Sequence, residues 1–133
     1  MTFQDLENSL PNGFHDAKLK GVSIDYAERL LTMQMEILVG TPEAEDREEY
    51  RSATLTVTGL YFCVIDPPDV KYPFITKHSP IGISGDDGWP GTLSDLAAIL
   101  AQTNPDFTYH RFFSDDWNSF IYVAADDVRL SWD

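Results

Sequence analysis

Two neighbouring residues, His15 and Asp16, are the most chemically suggestive in this chain. An imidazole and a carboxylate are both metal ligands, and either can move a proton. Two ligands do not hold an ion, so a small metal-dependent enzyme built on this pair would draw a third from His78, His110, Asp86 or Asp87. The three histidines stand too far apart to match any local ligand spacing. On a strand, moreover, neighbouring side chains point to opposite faces. A plainer role is open too: both side chains could bond free backbone groups where a strand begins. His15 and Asp16 are thus the candidate functional residues, with no catalytic residue, metal or cofactor assigned.

Other candidates reduce to structure. Gly85-Asp86-Asp87-Gly88 lacks the alternate-position oxygens and closing glutamate of a calcium loop, and reads as a turn. Asp115-Asp116 and Asp126-Asp127 fall where hairpin turns are expected, and aspartate is a common turn former. Cys63 sits on the apolar face of a strand, where a thiol behaves as a small hydrophobe. No phosphate-cradling glycine loop, nucleophile elbow or paired-cysteine zinc pattern occurs.

Charge is the strongest bulk signal. Nine Lys and Arg against 22 Asp and Glu give a net charge of -13, with the cations scattered singly. Phosphate backbones and anionic membranes demand clustered cations, so nucleic acid and membrane surfaces are excluded as expected partners. An acidic excess can steer a basic protein partner, although it also serves solubility alone. Glu43, Glu45, Asp46, Glu48 and Glu49 form an acidic run between Gly40 and Tyr50. This run reads as a solvated loop or, functionally, as a docking patch; with Trp89 it makes up the candidate interface. A single cysteine excludes an intrachain disulfide. The opening residues carry no signal-peptide pattern, and the apolar run Leu60 to Ile65 is far short of the ~20 residues that span a bilayer. The expectation is a cytoplasmic protein.

These residues need a scaffold, and the apolar pattern supplies one. Thr2 fits the N-cap of a short helix that must end before Pro11-Asn12-Gly13. Leu31, Met33, Met35, Ile37 and Val39 alternate with polar residues, the period of a half-buried strand. Val22, Ile24 and Tyr26 answer on the preceding arm, with a β-bulge expected at Gly21. A long strand follows from Arg51 to Ile65, with Ala53, Leu55, Val57, Tyr61, Cys63 and Ile65 on one face. Ile81 to Ile83 is a short strand. Leu93, Leu96, Ala97, Ile99 and Leu100 recur at helical spacing, predicting a helix over about 93–103. Three further strands are expected from Phe107, Trp117 and Val128 onward. A chain of 133 residues with 43% hydrophobic content fits one domain with its own core. The fold class is α+β: one domain, 1–133, with a twisted, mainly antiparallel sheet of six or seven strands and one main helix packed on one face.

The opening Leu10-Pro11-Asn12-Gly13-Phe14-His15-Asp16-Ala17, with Ile24-Asp25-Tyr26 and the alternating strand, resembles a pattern of small uncharacterised bacterial proteins. These share a His-Asp-Ala start before a β-hairpin, and some are grouped with immunity-type proteins of toxin systems. The resemblance covers the first third of the chain and implies a binding role without catalytic residues: covering a partner, such as a basic toxin. A metal-dependent enzyme using His15 and Asp16, and a self-associating structural protein or homodimer pairing by a strand edge, are the alternatives.

Overall fold

A computed structural model describes residues 1–41, 43, 45, 48–69, 81–86 and 94–133, with only the backbone at Ile81, Asp86 and Ser94. Along the chain run α1 (Phe3–Ser9), β1 (Ala17–Asp25), β2 (Leu30–Leu38), β3 (Tyr50–Ile65), β4 (Ile81–Asp86), α2 (Ser94–Thr103), β5 (Thr108–Ser114) and β6 (Ser119–Trp132). Every ladder is antiparallel, in the order β1-β2-β3-β6-β5-β4. The ring closes where β4 returns to β1, through Ala17 opposite Ile83, Lys18 opposite Gly82 and Leu19 opposite Ile81.

The described residues therefore form a closed six-stranded antiparallel barrel with two short helices, which corrects the expectation of an open twisted sheet carrying one main helix. Period-two alternation says which side chains face the core but not which strands are neighbours. The closing ladder joins segments far apart in sequence, and no local pattern announces it.

The helix that matters to the core is also a different one. Thr2 and Asp5 form a reciprocal capping box at the start of α1. Phe3, Leu6 and, at the C-cap, Leu10 then enter the core, while α1 rests on β5 and β6. The Phe3 N–H donates to Thr108 Oγ1 at 2.8 Å. The ring of Phe3 stacks on His110 at 5.0 Å, and His110 meets Phe14 and Phe112 edge-on at 5.4 and 4.7 Å. The helix α2 buries Leu100, but Ile99, expected on its apolar stripe, is 59% exposed. Thr92, which fits the N-cap of this helix by sequence, and Leu93 lie outside the described residues.

The last two expected strands are one. The strand β6 passes through Asp126-Asp127 without turning and pairs with β3 on both sides of them. Ala125 and Val128 both face the core, three residues apart, as do Val57 and Leu60 on β3. Gly59, at φ +63°, makes that rotation, and a bulge between Leu60 and Phe62 follows. Leu60 thus takes the core position expected of Tyr61, which turns outward to donate to Asp126. Tyr26 also faces out, 78% exposed, whereas the bulge beside Gly21 falls where expected. Gly85 and Asp86 belong to β4, opposite Phe112 and Arg111, and are not a turn.

Two substitutions test this assignment by chemical denaturation. Phe3→Ala should lower the unfolding free energy by about 3–5 kcal/mol, as for other buried aromatics, and Ile99→Ala should change it by no more than ~0.5 kcal/mol. At Gly85 a Cβ would lie 2.1 Å from the Nε2 of His110, which the surrounding rings hold in place. Gly85→Ala should therefore cost about 1–3 kcal/mol through overpacking.

Candidate functional site

Residues 11–16 form a run of turns, not the start of a strand. The His15 N–H donates to Asn12 O and the Ala17 N–H to Phe14 O, both at 3.1 Å. Phe14 is fully buried and anchors the turn, leaving its two neighbours to project into solvent. Asp16 adopts φ +58°, so the opposite-face rule for strands does not apply. Its Oδ2 lies 3.3 Å from His15 Nε2, with the side chains 73% and 56% exposed. The two side chains lie against each other at the protein surface, not on the backbone of a strand start. A pair this exposed contributes little to stability.

Barrel closure gives the pair its neighbours. The turn between β5 and β6 docks on β4: the Asp115 N–H donates to Gly82 O at 3.2 Å, and Asp116 Oδ2 accepts from the Gly82 N–H at 3.1 Å. Burial raises the Asp115 carboxyl above the usual carboxylate range; the charges of Asp16 and Asp116 add to this, and His15 opposes it. On the other flank, burial raises the Tyr50 hydroxyl, with Asp16, Glu48 and Glu36 pushing the same way. Lys18 sits 4.3 Å above the Tyr50 ring, and Lys20 pairs with Glu36 at 3.2 Å.

The acidic loop belongs to the same rim. The carbonyl of Glu49 accepts from Val39 and Gly40 N–H at 2.8 and 3.3 Å. Asn12 Nδ2 donates to Leu38 O and Gly40 O at 3.1 and 2.8 Å, tying the loop's base to the turn that carries His15 and Asp16. Glu43, Glu45, Glu48 and Glu49 are all exposed. Asp46 and Trp89 lie outside the described residues.

The proposed third metal ligands do not join the pair. His110 is buried in the barrel beneath α1. His78 and Asp87, and the side chain of Asp86, lie outside the described residues. Among the described residues no group of three or more His, Cys, Asp or Glu is placed to hold a metal ion. Burial pushes the Cys63 thiol up to about 11, so it is no ready nucleophile. The parts of the rim that sequence reasoning missed are Glu36, Tyr50, Asp115 and Asp116. The paired aspartates were visible as turn formers, but their approach to Asp16 depends on the β1–β4 ladder.

No protein-family model, curated protein or solved structure matches the chain. Among the described residues, no helix is long and apolar enough to cross a membrane.

The raised Asp115 carboxyl has a testable sign. A carboxyl raised in the fold contributes stability below its unfolded value and loses that contribution as pH rises through its folded value. Asp115→Asn should therefore be more stable than the wild type at pH 7, with the gap closing below about pH 4, where the unfolded carboxyl also protonates. Melting temperatures across that pH range measure this.

Proposed function

We propose that this is a non-catalytic protein that binds a basic protein partner through its acidic rim. The observation that carries the reading is the convergence of acids from separate stretches of chain onto one rim: Asp16, Glu36 and Glu48 all act on Tyr50, and Asp16 acts with Asp116 on Asp115. Lys18 and Lys20 compensate only part of that charge, and the whole chain carries -13. Such a field accelerates encounter with a positively charged surface and repels acidic competitors. The likeness of the opening residues to immunity-type proteins extends the proposal to neutralisation of a basic toxin by covering its surface. In this reading His15 and Asp16 are part of a recognition surface in the cytoplasm, not of a metal site.

Salt is the direct test. The immobilised protein should retain from lysate, at 30 mM salt, a protein of high isoelectric point. That protein, once purified, should form a stoichiometric complex whose association rate falls at least tenfold between 30 and 300 mM salt, as expected for steered encounter. Retention of acidic and basic proteins alike, or an association rate indifferent to salt, would remove the proposal.

A further inference from the structure

Where β6 runs past β5, its neighbour changes from a strand to a helix. The strand β5 begins at Thr108, opposite Ala125, while β3 accompanies β6 on to Trp132. Among the described residues, no strand takes up the flank of β6 beyond Ala125. The start of the chain and α1 lie there instead, and the Val128 N–H donates to Met1 O at 3.2 Å. A helix is about 10 Å across, twice the ~4.8 Å between paired strands, so its packing on β6 leaves a hollow beside it. That hollow is a groove of about 310 Å³, with Leu6 and Leu10 of α1 facing Val128, Leu130 and Trp132 of β6. Its volume matches the smaller ligand sites, which run from roughly 300 to 1,000 Å³.

The charge at this groove runs against that of the chain. Nine Lys and Arg stand against 22 Asp and Glu overall, yet here the cations prevail. Asp127 is the one acid in the lining, and the Met1 ammonium is already paired with it. Arg129 also lines the groove, and the Arg51 guanidinium lies 4.5 Å from the centroid of the Trp132 ring. Arg51 shares one face of β3 with Ala53, the residue opposite Trp132, so it stands at the end of the same wall. Among the described residues, neither arginine has an ion pair. Asp133 is the next acid along β6, but its carboxylate accepts from Thr54 Oγ1 at 3.1 Å, on the other face of β3. Charges more than about 10 Å apart are largely screened at 0.1 M salt, so the local balance decides what is held here.

We infer that this groove binds a small aliphatic carboxylate, its chain along the leucines and its head at Arg51. The inference does not depend on the basic-partner reading. An apolar trough takes the hydrocarbon chain out of water. A guanidinium presents paired N–H donors that match a carboxylate, and stacking on an indole fixes the plane in which they point. A cationic ligand would meet like charge here. A wholly apolar one would leave both guanidinium groups without a counterion. In a chain with so many acids, two arginines left without an acidic partner beside one apolar groove are completed by an anion from outside.

The probes are octanoate and octylammonium, which share an apolar body and differ in the sign of the head. Binding is read by NMR at neutral pH and moderate salt, from the Leu130 amide and the Trp132 amide and indole N–H signals. Octanoate should shift these signals saturably. Octylammonium, which the net charge of the whole chain favours, should not. Arg51→Gln should weaken octanoate binding at least threefold, the scale of an exposed ion pair. Arg51→Lys, which keeps the charge but not the fork, should fall between the wild type and Arg51→Gln. Arg51 is exposed, so both variants should fold, with melting temperatures close to that of the wild type. Absence of a saturable shift with octanoate would overturn the inference. So would equal shifts from octylammonium, the mark of a groove that reads apolar surface alone. Undiminished octanoate affinity in Arg51→Gln would overturn it too, because the carboxylate would then sit elsewhere.

Discussion

The short ladder between β1 and β4 is the contact on which the rest of the molecule depends. Ala17 and Ile83 face each other across it and are fully buried. Without it, both strands would offer unpaired edges to water, and the inward side chains would lose one wall of their enclosure. The same contact fixes the surface chemistry. Gly82, opposite Lys18, bonds the turn that bears Asp115 and Asp116, and so carries those carboxylates toward Asp16. One ladder thus completes the core and assembles the acidic rim.

The barrel is a packed interior, and its filling explains the place of α1. The core holds Ala17, Ala53 and Ala125 together with Phe14, Phe112, Met33 and Met35, and His110 is buried against the rings of Phe14 and Phe112. The ring of Phe3 lies flat on His110, so α1 completes an aromatic cluster begun by β5 and the 11–16 turn. Backbone closure and side-chain filling reinforce each other. Gly85 passes over His110 where any side chain would collide with it, so β4 can approach β5 only because of that glycine.

Much of this was legible in the sequence, and the failures have physical causes. Leu31 to Ile37 declared a strand because one of its faces is buried and the other is not. Thr2 declared a helix start as an N-cap, although its reciprocal bond with Asp5 was not foreseen. Gly21 marked a bulge because a phase slip surrounded it. Gly59 sat in step with its neighbours, so the rotation that puts Leu60 in the core in place of Tyr61 left no trace in the pattern. Asp126-Asp127 resembled a turn because outward acids are common to turns and to exposed strand positions alike. For the candidate site, His15, Asp16 and the glutamates of the acidic loop could be named, but not their companions. The aspartates that join them come from the far end of the chain, and only the closed ring makes them neighbours.

The rim also bears on what the fold is for. Like charges brought together cost stability, and here they act on Asp115 and Tyr50, groups already disfavoured in their charged forms by partial burial. These acids do not hang from loose chain: Asp115 and Asp116 are fixed by backbone bonds to Gly82, and the base of the acidic loop by Asn12 and the Glu49 carbonyl. Solubility would be served equally well by acids spread over the barrel wall, where mutual repulsion is screened within about 10 Å at moderate salt. Holding them together at one pinned rim keeps a repulsion that folding alone does not require. A positively charged partner of the kind proposed would relieve that repulsion, returning to binding what the rim withholds from folding.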